Sequence, residues 1–297
     1  MRIALIFAAF ALTASSASMA LEPASYAIQD PEPDTEHPAG VVAFGIPTAN
    51  GPINALLYTA AGSELHPTLL LLHGFPGNEQ NLDLAQAARR AGWNVLTLHY
   101  RGSWGSPGPF SFSNAAEDAV TALALLRSPD FAQSHRIDRG KIVVAGHSMG
   151  GFMAANAAAN DPDVIGLFLI DAWSPVETAA GLSSPEGRAA WSAEVRSDLP
   201  PLAGTSEEAL TEELLTKGAQ FDLAKQMIAY GSRPLYVIGA DRALGPADMK
   251  FLAETQAAGN SQAGGQSWPT DHSFSDHRIA LSALLVDWLD SLVTVQD

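Results

Sequence analysis

The chain contains no cysteine. That excludes disulfides, thiolate catalysis and a lipid-anchored cysteine. Basic residues are scarce: 16 Lys and Arg stand against 32 Asp and Glu, a formal net charge of −16. So acidic a surface repels phosphate backbones and anionic lipid, so neither nucleic acid nor a peripheral membrane surface is an expected partner. His-x-x-x-His and carboxylate clusters with ligand spacing are missing, so no metal is expected. The glycine-rich stretch Arg101–Gly108 lacks both Gly-x-Gly-x-x-Gly and Gly-Lys-Ser/Thr, so no nucleotide is expected, and no cofactor at all. Disorder is excluded too, because hydrophobic residues make up 47% of 297 and charged ones 16%. That length suits one α/β domain of ordinary size or two small ones.

The first 20 residues form a distinct segment. Met1-Arg2 precedes an apolar run, Ile3 to Leu12, and small residues lead to Ser18-Met19-Ala20. A basic start, a hydrophobic stretch and small residues at −3 and −1 predict a signal peptide cleaved after Ala20. The run falls short of the ~20 apolar residues a spanning helix needs, so the mature chain is expected to have no membrane span. Residues 21–40 are rich in Pro and acids and read as an exposed lead-in. The expected location is outside the cytoplasm, in a periplasm or the medium.

From residue 41 to 297, strand and helix signals alternate. Val41–Ile46 and Ile53–Thr59 read as a hairpin around Asn50-Gly51. Strands are expected at Thr68–Leu72, Asn94–Tyr100, Lys141–Ala145, Val164–Ile170 and Pro234–Gly239. Helices are expected at Leu82–Ala91, Ala115–Leu126, Gly151–Asn160, Pro246–Ala257 and Ile279–Leu292. This alternation predicts an α/β fold: a mostly parallel sheet with helices on both faces. A last strand near Gln262–Trp268 is poorly marked, being glycine-rich. Residues 174–232 break the pattern with Ala-, Glu- and Leu-rich helical stretches, and read as a small helical lid over the carboxyl ends of the strands.

The chemistry centres on Gly146-His147-Ser148-Met149-Gly150. It sits between an apolar strand and a small-residue helix, so Ser148 lies on a sharp strand-to-helix turn. The helix N-terminus points free N–H groups at the serine, where an oxyanion would form. A serine hydroxyl needs a base, and the base an orienting acid. On strand–turn–helix serines these follow in the order Ser, acid, His. His272 and His277 both lie before the last helix; His272 is the expected base, because His277 falls at the helix start. Asp241, leaving the strand Pro234–Gly239, is the expected acid, with Asp171 at the preceding strand end as competitor. Met149 N and Phe75 N, from the loop His73-Gly74-Phe75-Pro76-Gly77, are the expected oxyanion donors. His73 and His147 read as loop-bonding or packing residues. Trp104, Phe110, Phe112 and Trp173 are candidate pocket walls.

Four separated segments, His73–Gly77, Tyr100-Arg101-Gly102, Gly146–Gly150 and Asp271-His272, occur in the order found in the α/β-hydrolase superfamily. The chain resembles it over nearly its full mature length. It looks most like the branch of dienelactone-hydrolase-like proteins and the catalytic domain of prolyl-oligopeptidase-type peptidases, with Asp118 part of that likeness. The resemblance implies hydrolysis through an acyl-enzyme, on a small ester or a short peptide. Ser148 stands where haloalkane dehalogenases, epoxide hydrolases and true dienelactone hydrolases carry aspartate or cysteine, which argues against those activities. Asp241 follows Gly239 more closely than in many relatives. Three readings follow: a carboxylic-ester hydrolase first, then an aminopeptidase or acylaminoacyl-peptidase, then a non-catalytic binding relative.

Overall fold

The computed structural model describes residues 25–294. The expected signal peptide lies outside the described residues. A short helix α1 (Ser25–Ile28) leads to β1 (Gly40–Ile46), β2 (Ile53–Thr59) and β3 (His66–Leu72). There follow α2 (Leu82–Arg90), β4 (Asn94–Leu98), α3 (Phe112–Arg127), α4 (Pro129–Ser134), β5 (Ile137–His147), α5 (Met149–Asn160) and β6 (Gly166–Ile170). Helices α6 (Pro175–Gly181), α7 (Pro185–Asp198), α8 (Glu207–Lys217) and α9 (Leu223–Tyr230) precede β7 (Leu235–Ala240), α10 (Gly245–Ala257), β8 (Ala263–Trp268) and α11 (Arg278–Val293).

The eight strands form one sheet in the order β1-β2-β4-β3-β5-β6-β7-β8. The hairpin pairs antiparallel to itself and to β4, and the other neighbours are parallel. The central strands are apolar along their length because both sheet faces are covered. Period-two alternation divides β5 between them: Ile142 and Val144 join the layer of α3, α5 and α9, while Val143 and Ala145 join that of α2 and α11. Each fully buried Leu, Ile or Phe in these layers contributes about 1.5–3 kcal/mol of transfer free energy.

Parallel strands bring their carboxyl ends to one edge. There β5 ends at His147, β6 at Ile170, β7 at Ala240 and β3 at Leu72. Between β6 and β7 the chain leaves the sheet for α6 to α9, and it touches the opposite loop where Ser103 bridges Leu202 and Trp104 N donates to Pro201 O at 3.0 Å.

Candidate active site

Ser148 occupies the one-residue bend between β5 and α5, at φ 56° and ψ −123°. A non-glycine residue there carries about 1–3 kcal/mol of strain, held by the packing around it. Ser148 N donates to Ile170 O at 3.0 Å, and Ser148 O accepts from Trp173 N at 2.9 Å. The glycine spacing has a steric cause: a Cβ on Gly146 would lie 1.9 Å from Gly150 O. A Cβ on Gly74 would lie 2.9 Å from Ser148 Cβ, so the His73–Gly77 loop closes on the serine only with glycine there. Phe75 follows in that loop, and Met149 is the first residue of α5. Neither backbone N–H donates to a protein acceptor among the described residues. Both therefore remain open to an oxygen beside Ser148.

His272 lies in the turn before α11. Its Nδ1 meets Asp171 Oδ2 at 2.5 Å, which fixes the proton on Nδ1 and frees Nε2 for proton traffic. Asp171 is fully buried, and at φ 41° it is a second strained non-glycine residue, one position beyond the end of β6. Its carboxylate also accepts from Ala240 N at 2.8 Å and Leu244 N at 3.3 Å. Three donors from β7, the α10 entry and the histidine loop thus converge on one side chain.

Asp241 is not the partner of His272, which corrects the expectation from sequence. Its carboxylate is exposed and accepts from Ser267 Oγ on β8, while its backbone N donates to Trp268 O at 2.8 Å. The cause is local. Ala240 N, one residue earlier, already bonds Asp171, and α10 begins at Gly245, so the intervening turn directs Asp241 toward the sheet edge. His277 occupies the N-cap position of α11 without a side-chain capping bond; its ring bonds Asp276 Oδ1 at 2.9 Å and packs on Trp268.

Phe75, Phe110, Phe112, Trp173 and Trp191 form one aromatic cluster, in which Phe110, Phe112 and Trp191 are buried in the core rather than lining a pocket and only Phe75 and Trp173 are partly exposed. Ring centroids lie 5.6 Å apart for Phe75–Phe110, 4.9 Å for Phe112–Trp173 and 6.3 Å for Phe112–Trp191. Trp104 stands apart from it, at φ 48°, half-exposed, with Nε1 bonded to Pro76 O at 3.0 Å. Below the loop, Arg101 Nε meets fully buried Asp118 Oδ1 at 2.6 Å, and Arg101 N donates to Asp118 Oδ2 at 2.7 Å. This pair anchors the Arg101–Gly108 turn to α3.

Two contributors were missed in the sequence. Asp248 on α10 accepts from Ala172 N at 3.1 Å. Burial, then the neighbouring Asp171, pushes its pKa up to about 9, so it stays protonated at neutral pH. Glu213 on α8 accepts from Phe112 N at 2.8 Å, Ser113 N at 2.9 Å and Ser113 Oγ at 2.6 Å, capping α3 from a hundred residues away. His147, read from the sequence as a loop-bonding or packing residue, donates from Nε2 to His272 O at 2.8 Å. Both missed residues carried a usable signal: Asp248 repeats with Leu252 and Thr255, and Glu213 with Leu210 and Leu214, on inward helix faces where an acid must find donors.

A family model described as the alpha/beta hydrolase fold matches residues 67–282, and the chain belongs to that family. It is similar to an sn-1-specific diacylglycerol lipase, ABHD11, of Xenopus tropicalis: 34% identity over 127 residues, covering 42% of this chain and 37% of that protein. The chain thus matches little more than a third of that relative's length. Among solved structures it is similar to an esterase of Pyrobaculum calidifontis, with TM-score 0.64 and 19% identity over 88% of each chain. It is also similar to an acylaminoacyl peptidase of Pyrococcus horikoshii, with TM-score 0.64 and 14% identity over 87% of this chain and 42% of that one. At these identities the structures speak for the fold.

Proposed function

We propose that the protein is an exported serine hydrolase that cleaves a carboxylic ester through an acyl-enzyme. The observation that carries this is a buried Asp171 bonded to His272, next to a serine on a strained strand-to-helix bend. Ser148 Oγ attacks the acyl carbon as His272 Nε2 takes its proton. Asp171 holds the imidazole in the Nδ1–H tautomer and stabilises the imidazolium. Phe75 N and Met149 N hold the oxyanion. The protonated His272 then gives its proton to the leaving alkoxide, and a water activated by the same nitrogen releases the acid. The partly buried Phe75 and Trp173, in the segments flanking Ser148, offer apolar surface to an acyl or alcohol group.

A peptidase would use the same groups but must also fix a charged terminus. Of the acids on the helices between β6 and β7, Glu207 pairs with Arg196 and Glu177, Glu186 and Glu208 are exposed, while Glu194, its pKa pushed up by burial, feels the charge of His272 and is the acid placed to meet such a terminus. Export is supported by the Met1–Ala20 pattern, and detection of mature protein beginning at Leu21 outside the cytoplasm tests it. The catalytic test is Ser148→Ala on p-nitrophenyl butyrate. Loss of kcat by about five to six orders of magnitude is expected, with loss of fluorophosphonate labelling. Unchanged turnover would refute the mechanism, and faster cleavage of amino-acid anilides than of esters would favour the peptidase.

A further inference from the structure

We infer that His147 is a positioning residue: its imidazole, in the tautomer bearing hydrogen on Nε2, holds the backbone at His272 and so aims that base at Ser148. The contact is specific. Nε2 of His147 lies 2.8 Å from His272 O, and a carbonyl only accepts, so the imidazole must donate. The two rings are 4.5 Å apart, inclined at 38°, so His147 also forms one wall against which the His272 ring rests. His147 is the last residue of β5, pairs in register with Ile170 before Asp171, and precedes Ser148 in the chain. One buried residue therefore joins the segments that carry the nucleophile, the base and the acid, the first through the chain, the last through strand pairing and the base through its side chain. Support of this kind matters because the His272 side chain is 41% exposed, and its one side-chain hydrogen bond among the described residues goes to Asp171.

Charge behaviour agrees with this geometry. Burial first, then His272, Arg278 and His73 around it, push the His147 pKa down to about 3, whereas the bond to His272 O opposes that shift. His147 thus stays neutral beside an imidazolium that forms and disappears in each turnover. Its Nδ1 is buried with no protein partner among the described residues, and protonation there would set a second cation against His272.

The test compares His147→Phe, which keeps a ring and loses the donor, with His147→Gln, which keeps a donor. On p-nitrophenyl acetate, His147→Phe is expected to lower kcat about 10- to 100-fold with KM within about threefold, since small misplacements of catalytic groups have effects of that size. His147→Gln should recover most of the loss. In proton NMR, the downfield His272 Nδ1–H signal should broaden in His147→Phe and persist in His147→Gln. Wild-type kcat in His147→Phe, or equal losses in both variants, would overturn the inference. Should His147→Phe not fold, His147→Met against His147→Gln makes the same comparison. The role rests on the serine-hydrolase reading, but the NMR signal does not need turnover. Failure of that reading would appear as full activity in Ser148→Ala.

Discussion

The ends of β6 and β7 lie side by side and each leads into an aspartate, yet the two acids live in different surroundings. Asp171 is wholly buried, strained at φ 41°, and gathers two backbone N–H groups and His272. Asp241 is exposed and meets a serine. The difference teaches that the role of an acid in such a fold is set by which strand end receives the donors of its neighbours. A carboxylate in a dry site with three donors is fixed in place and acts strongly on the imidazole. One in water is screened and loosely held.

The contrast can be broken by truncation. Asp171→Ala leaves the buried N–H of Ala240, the part-buried N–H of Leu244 and the imidazole Nδ1 without acceptor. Urea unfolding should show a loss of about 1–3 kcal/mol per unsatisfied group that water does not reach. A stability within experimental error of wild type would mean that the β6 end is not the rigid one.

Acid sharpens the contrast next. Burial pushes His73 down to about 4 and His147 to about 3. Both bind fewer protons folded than unfolded, so their stabilisation is present above the unfolded value near 6.5 and is lost as pH falls through the folded values. Tm should drop from pH 7 to pH 4, and His73→Phe or His147→Phe should flatten that slope. Asp248 has the opposite sign. Its folded pKa is raised to about 9, so its contribution is fully present below the unfolded value and declines as pH rises toward 9. Asp248→Asn keeps the shape without the titration and should become more stable relative to wild type with increasing pH. No change in that difference between pH 5 and pH 9 would contradict a buried neutral acid.

The smallest effect belongs to the β7 end. Asp241→Ala should change stability by less than about 0.5 kcal/mol, as exposed positions do. A larger loss in urea would give Asp241 a structural role that its contacts lack.

Much of the fold is legible in the sequence. Apolar runs and their spacing marked every parallel strand except β8, and the Gly146–Gly150 spacing placed the serine bend. Where the reading fell short, distant groups were responsible. β8 carries Gly264 and Gly265, poor strand residues, and is a strand because its backbone pairs in register with Tyr236 and Val237. Helix α3 starts at Phe112 rather than Ala115 because Ser111 accepts from Asn114 N and Glu213 caps the first amides from α8. The acid was misassigned because Asp171 reads locally as a strand end. Its left-handed backbone and its donors from β7 are tertiary facts, which no spacing along the chain encodes.

The most direct measurement sets Asp171→Asn beside Asp241→Asn in kcat on p-nitrophenyl acetate near neutral pH. Both substitutions preserve shape and remove one charge. Asp171→Asn is expected to lower kcat by about three to four orders of magnitude, because an amide donor facing Nδ1 selects the wrong tautomer. Asp241→Asn should stay within about twofold of wild type. A large loss in Asp241→Asn with near-normal turnover in Asp171→Asn would contradict the placement of the acid at the end of β6.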